Sequence, residues 1–274
     1  MTTTLRPTEP LQHAADGTRS RRYQVCVNSR PVGVVRLGTS PAFGDSVAVL
    51  HDLRVDEADR RRGRATVAAL AAEEVARGWG CRQVLVTVPA DAGPARRLAE
   101  ALGYVRLSRG MRKRLGDTPP ALPDGSRPRP MTPAEYDAWQ SYESEGYARD
   151  WIERGMPEDV ARARSRRDHE ELLPRGLDTE NTLLTVVEHA GDRVGTLWLA
   201  LRDEDAFVYG VESDAAHRGR GHGRTLMLVA EAQAIAAGRR LLGLSVFADN
   251  FPAERLYESL GYETTRYTFR KRLL

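Results

Sequence analysis

Apolar and polar residues alternate along Tyr23 to Val27 and Val32 to Leu37, and again along Thr182 to Glu188 and Val194 to Leu201. Period-two alternation places one side of a segment in a core, so each pair of runs predicts two strands around a turn, the second turn carrying Gly191-Asp192. A third strand is predicted over Ser46 to Val55 and over Ala206 to Ser213. Each is followed by a glycine-rich turn and then by helical spacing, Ala65 to Arg77 and Thr225 to Ala237, stopping near Gly78 and Gly238 as helices do at glycine. A strand, a second helix and a last strand close each half. The fold class is therefore mixed α/β.

The two halves are copies. Arg60-Arg-Arg-Gly63-Arg-Ala65 returns as Arg218-Gly-Arg-Gly221-His-Gly223, an offset of 158, and the same offset carries Leu102-Gly103-Tyr104 onto Leu260-Gly261-Tyr262. Upstream it becomes 162, Val32-Gly33 matching Val194-Gly195, and the slip falls in the turn-rich stretch Thr39 to Ser46, where insertions are absorbed. Proline-rich residues 117–128 read as a linker between a domain at 1–116 and a second at 129–274, since proline suits neither helix interior nor central strand. Before its hairpin the second copy has a long helical region, Thr132 to Leu173. The first has only Pro7 to Arg22, and so reads as truncated at its front.

Composition adds less. Of 274 residues 41% are hydrophobic, enough for two modest cores. The net charge of +3 is too small to indicate nucleic acid, although residues 1–116 carry 20 Lys/Arg against 11 Asp/Glu and the rest is acidic. Arg dominates so strongly that Lys113 and Lys271 are the only lysines, read as coding bias and given no weight. Cys26 and Cys81 match neither a disulfide framework nor a zinc site and are expected to be buried thiols. The first residues lack the basic-then-apolar order of a signal peptide and no apolar run suits a membrane span, so a cytoplasmic protein without a membrane partner is expected.

The chemistry centres on the turn. A strand entering Arg-x-x-Gly-x-Gly and then a helix directs several backbone N–H groups at one point, where the helix dipole also favours an anion such as a pyrophosphate. Such a turn can equally be a plain helix cap; its duplication in the same strand-and-helix context favours the ligand. A dinucleotide fold would need Gly-x-Gly-x-x-Gly after a first strand, and a phosphate-binding kinase loop Gly-Lys-Ser/Thr; neither is present.

With Arg218-Gly-Arg-Gly221 and, downstream, Asn250-Phe-Pro-Ala253-Glu-Arg-Leu256-Tyr257-Glu-Ser-Leu-Gly261-Tyr262, the second copy resembles the GCN5-related N-acetyltransferase (GNAT) superfamily. The resemblance covers most of residues 180–270 and, more weakly, 21–115. It implies two tandem GNAT-like domains, each a mixed, mostly antiparallel sheet flanked by helices with a splayed central strand pair, and acetyl-CoA as cofactor. It further implies that Val211 to Ser213 bind the pantetheine arm, that Arg218, Gly219, Arg220, Gly221, His222, Gly223 and Arg224 hold the pyrophosphate, and that Asn250 helps. Tyr257 would be the acid for the leaving thiolate, a phenol of pKa about 10 staying protonated at neutral pH. Glu212 is the first choice of base, with Glu204 or Asp205 behind it and a water relay as the alternative. His217 and His222 read as phosphate neighbours rather than metal ligands, and no metal is expected. The first copy has Ala92 and Ala99 where the second has Asn250 and Tyr257, so catalysis is expected from the second copy alone.

The acceptor is expected to be a primary amine of a small molecule. Tyr136, Trp139, Tyr142, Glu143, Glu145, Tyr147, Asp150 and Trp151, in the helices before the second hairpin, could enclose an ammonium or could be ordinary packing and solvated surface. A mycothiol-synthase-like enzyme is the alternative within the class, a protein N-acetyltransferase the next, and a non-catalytic acyl-CoA sensor or scaffold the alternative outside it. A homodimer is left open.

Overall fold

The computed structural model describes residues 2–40 and 42–273. The first repeat runs β1 Thr3–Pro7, β2 Gln12–His13, β3 Arg19–Val27, β4 Arg30–Ser40, β5 Gly44–Val55, α1 Arg64–Gly78, β6 Gln83–Pro89, α2 Gly93–Ala101 and β7 Val105–Arg114. The second runs β8 Ser126–Pro130, α3 Pro133–Glu153, α4 Glu158–Leu172, β9 Thr182–His189, β10 Asp192–Leu201, β11 Ala206–Ser213, α5 His222–Ala236, β12 Leu241–Phe247, α6 Phe251–Ser259 and β13 Glu263–Arg272. Both hairpins turn on two residues with positive φ, Asn28-Ser29 and Ala190-Gly191, the geometry that matches strand twist. Thr132 caps α3 through a reciprocal capping box with Glu135, and the proline-bearing β8 is an edge strand on β9, where a missing N–H is tolerated. The last residues of the stretch read as linker, 126–128, are thus strand.

The chain divides into two compact units. One holds residues up to Ser108 together with Arg266 onward; the other is Arg109–Thr265. The first unit's sheet has the order β1-β3-β4-β5-β6-β13, the second's β7-β12-β11-β10-β9-β8. In each, a parallel pair sits among antiparallel strands, β5 with β6 and β11 with β12. Each sheet is completed by the last strand of the other repeat: β13 pairs antiparallel with β6 from Arg266↔Pro89 to Arg272↔Gln83, and β7 lies beside β12.

The two lysines hold these strands in place. Lys271 Nζ on β13 lies 2.7 Å from Glu73 Oε2 on α1, and Lys113 Nζ on β7 lies 2.7 Å from Glu231 Oε1 on α5. Both glutamates are buried. Lys113 and Lys271, like Glu73 and Glu231, are 158 apart, so each pair joins a lysine of one repeat to a glutamate of the other. The ammonium also stands over a buried tyrosine, Tyr104 at 5.5 Å and Tyr262 at 5.7 Å. A buried carboxylate needs such a partner, and a partner on the exchanged strand makes the exchange part of each core. The lysine pair dismissed as coding bias is therefore structural.

Phe269 of β13 is buried with Val25, Val35, Leu37, Ala72 and Val88 in the first core, while Met111 of β7 is buried with Leu197, Leu226, Leu242 and Tyr257 in the second. Cys26 and Cys81 are free and buried, as expected.

Candidate active site

The site is built by a strand pair that comes apart. β11 pairs with β12 only over Ala206–Val208 with Leu242–Leu244, although β11 continues to Ser213 and β12 to Phe247. A register shift causes the divergence: Trp198 opposes Gly210 and Leu199 opposes Val208, leaving Tyr209 as the extra residue of a bulge that bends β11. Beyond the bulge, Val211 to Ser213 keep β10 on one edge and no longer pair with β12 on the other. The approach of β10 requires glycine at 195, where a Cβ would stand 2.3 Å from the Glu212 carbonyl oxygen.

From Ser213 the chain makes one 3-10 turn, Ala215–His217, and enters α5 through Gly219 and Gly221, at φ 76° and 88°. Both need the left-handed region that only glycine enters freely. Gly221 caps the helix without a side-chain hydrogen bond, so the first N–H groups of α5 stay open. Gly223 lies close under α6: a Cβ there would meet Leu256 at 3.2 Å. Arg220 and Arg224 are exposed, Arg224 bonding Ser259 Oγ at 2.6 Å. Arg218 turns back, donating to Glu212 Oε1 at 2.9 Å and to the Ser213 carbonyl at 3.4 Å. His222 is buried against His217 and His189, with ring centroids at 5.9 and 5.2 Å; burial and those neighbours lower its pKa. Among the described residues no group of three or more His, Cys, Asp or Glu is arranged to hold a metal.

Asn250 caps α6, its Oδ1 accepting from Ala253 N at 3.2 Å. Tyr257, two turns along, is 6% exposed and burial pushes its phenol up to about 12, so it stays protonated across the neutral range. Glu204 and Asp205 lie in the turn before β11, at the end where β12 is still paired, and are not brought to the opening.

The residues of α3 and its surroundings divide sharply. Tyr136 and Trp139 are buried in a cluster with Met131, Leu184 and Trp198. Trp151 packs edge-on against Phe247 at 5.2 Å, Tyr147 Oη donates to Asp168 at 3.0 Å, and Glu145 pairs with Arg162. These serve packing and the α3–α4 contact. A second face looks toward β11. Tyr142 Oη donates to Glu212 Oε1 at 2.9 Å, and Glu143 Oε1 lies against Gly210, 3.0 Å from where a Cβ would stand. Burial, with Glu212 and Asp150 nearby, pushes the Glu143 carboxyl up to about 7. Sequence pattern could not separate Glu143 from its neighbours, because every acid on a polar helix face reads alike.

A sheet split at its central parallel pair, a glycine-bearing turn feeding a helix beside the split, and a second helix after the next strand together define the GNAT fold, here present twice, the second helix carrying a tyrosine only in the second unit. The model of the Acetyltransferase (GNAT) family matches residues 2–104 and 138–262, and the chain belongs to that family, whose members use acetyl-CoA. It is 32% identical over 258 residues to a mycothiol acetyltransferase of Thermomonospora curvata, covering 91% of this chain and 80% of that protein. It is also 32% identical over 151 residues to the uncharacterized N-acetyltransferase YycN of Bacillus subtilis, covering 53% of this chain and 96% of YycN. A tandem GNAT protein from the clavulanic acid biosynthesis pathway shares the fold with a TM-score of 0.53 at 22% identity, over 95% of this chain and 85% of that one. No helix among the described residues is long and apolar enough to cross a membrane.

Proposed function

We propose that the second unit is an N-acetyltransferase that moves an acetyl group from acetyl-CoA to the primary amine of a small molecule by direct attack. The observation that carries this reading is the open edge of β11 beyond Val208, set beside a glycine turn whose helix N–H groups are free and followed by a buried, protonated tyrosine. The residues fit the cofactor: Val211 to Ser213 offer backbone to its amide arm, and the left-handed glycines with Arg220 and Arg224 suit its pyrophosphate. When bound, acetyl-CoA supplies an acetyl group activated as a thioester. Tyr257 holds a proton at Oη that it can yield to an anion developing beside α6, and Asn250 fixes the start of that helix. Glu212 fastens Tyr142 and Arg218 at the mouth of the opening.

The test is thiol release from acetyl-CoA over a panel of small amines, with Tyr257→Phe as control. Turnover on at least one amine that falls about a hundredfold in Y257F is the expected result. Binding of coenzyme A without turnover on any amine would instead make the chain an acyl-CoA sensor. A second reading, favoured by the length of the match to the Thermomonospora curvata relative, is that this chain too is a mycothiol acetyltransferase. A panel that includes that relative's acceptor decides between them.

A further inference from the structure

Resting on the acetyl-transfer reading, we infer that Glu143, not Glu212, receives the acceptor's ammonium and takes its proton. Glu212 already accepts two hydrogen bonds at Oε1, from Tyr142 Oη and from the Arg218 guanidinium, both at 2.9 Å. That oxygen is occupied, so an ammonium could reach it only by displacing the phenol or the guanidinium. Glu143 faces the same strand one residue pair earlier, against the Gly210 backbone, and forms no ion pair among the described residues.

The charges around Glu143 come from three elements. On its own helix Asp150 pairs with Arg154, which also reaches Asp249 beyond β12 at 2.6 Å. From β11 and the following turn come Glu212 and its Arg218. The arginines are each spent on other carboxylates, so burial first, and then the acidic neighbours Glu212 and Asp150, hold the affinity of Glu143 for a proton near neutrality. That is the property a proton acceptor needs: it exists as carboxylate at pH 7 to 8, attracts a cation, and takes a proton readily. The glycine at 210 is part of the arrangement, since a Cβ there would stand 3.0 Å from Glu143 Oε1 and crowd the carboxylate.

The proton count closes. One N–H proton of the ammonium passes to Glu143 and from there to solvent, leaving an amine lone pair. When the N–C bond forms and the C–S bond breaks, Tyr257 gives its proton to the departing sulfur. The second proton shed by nitrogen restores the phenol.

The first measurement needs no substrate. In protein carrying carbon-13 at the glutamate carboxyls, one resonance should titrate near pH 7 and be missing from Glu143→Gln. With an amine from the panel, kcat/KM should fall on the acid side with the same midpoint. E143Q should lose that limb and about a hundredfold in kcat, while calorimetry gives coenzyme A affinity within twofold of wild type and a melt at pH 5 shows an intact fold. In Glu212→Gln the limb should persist. The inference is overturned if the neutral titration survives in E143Q, or if E212Q rather than E143Q removes the limb. A wild-type protein inert on every amine would overturn the transfer reading itself, and the assigned role with it, even if the neutral resonance is seen.

Discussion

The two units share a backbone plan and differ in what they hang on it. Both contain the bulge in the third strand of the hairpin sheet, at His51 in one and Tyr209 in the other. Both need glycine opposite its far end, where a Cβ on Gly33 or Gly195 would stand 2.1 or 2.3 Å from a carbonyl oxygen. Both separate the parallel pair, after Leu50↔Val86 and after Val208↔Leu244. The side chains then diverge. By register, Arg54 occupies the place of Glu212, Ala92 that of Asn250 and Ala99 that of Tyr257. At the turn, Arg61 takes φ 58° where Gly219 has 76°, a strain of about 1 kcal/mol. There a buried Asp59 forms ion pairs with Arg30 and Arg64, and the positions of Asp59 and Arg64 are held in the second unit by His217 and His222. No helix precedes the hairpin among the described residues of the first unit. The same backbone constraints thus stand in both units while the side chains at the opening differ.

The strongest way to break the comparison is through what the units exchange. Lys113→Ala would leave Glu231 buried without its cation, and Lys271→Ala would do the same to Glu73. Each should cost about 3–5 kcal/mol in urea unfolding, while the double change to apolar residues of similar size should recover most of it. If single and double variants are equally unstable, the pairs do not tie in the exchanged strands.

Next in size is the contrast at Tyr257. Y257F should reduce kcat about a hundredfold in the thiol-release assay, whereas changing Arg60 and Gly63 together should leave turnover nearly unchanged. A large loss from the latter would mean that the first unit takes part in catalysis.

A smaller effect separates the carboxylates. Because Glu143 is raised to about 7 from 4.5, the folded state binds this proton more tightly than the unfolded chain. Its contribution to stability is full below about pH 4.5 and is lost as pH rises through about 7. E143Q should therefore gain about 3 kcal/mol over wild type at pH 8 and nothing at pH 4, read from melts across pH. The first unit, with Arg54 at the corresponding opening, has no counterpart.

The smallest effect should come from the turns. Gly63→Ala and Gly221→Ala each introduce about 1 kcal/mol of backbone strain. Only G221A is expected to weaken coenzyme A binding in calorimetry; equal weakening would show a second working site and two ligands per chain.

Much of this was readable in advance. The strand over Ala206–Ser213 has the bounds its alternation predicts, and α1, at Arg64–Gly78, extends the predicted helix by one residue at each end. Internal similarity marked the repeat, and its breaks at Ala92 and Ala99 marked the copy without the motif side chains. Periodicity and turn chemistry are local, and a repeat compares one local pattern with another. The last strands β7 and β13 have equivalent patterns, and nothing in either says which sheet it completes. The two lysines looked like noise until a buried glutamate from the other repeat stood opposite each. Among the acids and aromatics of α3, spacing could not say that Trp139 packs on Trp198, that Glu145 is paired, or that Glu143 faces Gly210. The sequence by itself determined the class, the repeat and the turn, because those depend on neighbours along the chain. Tertiary structure alone decided the strand exchange and the carboxylate left unpaired at the opening, because burial and charge pairing depend on neighbours across it.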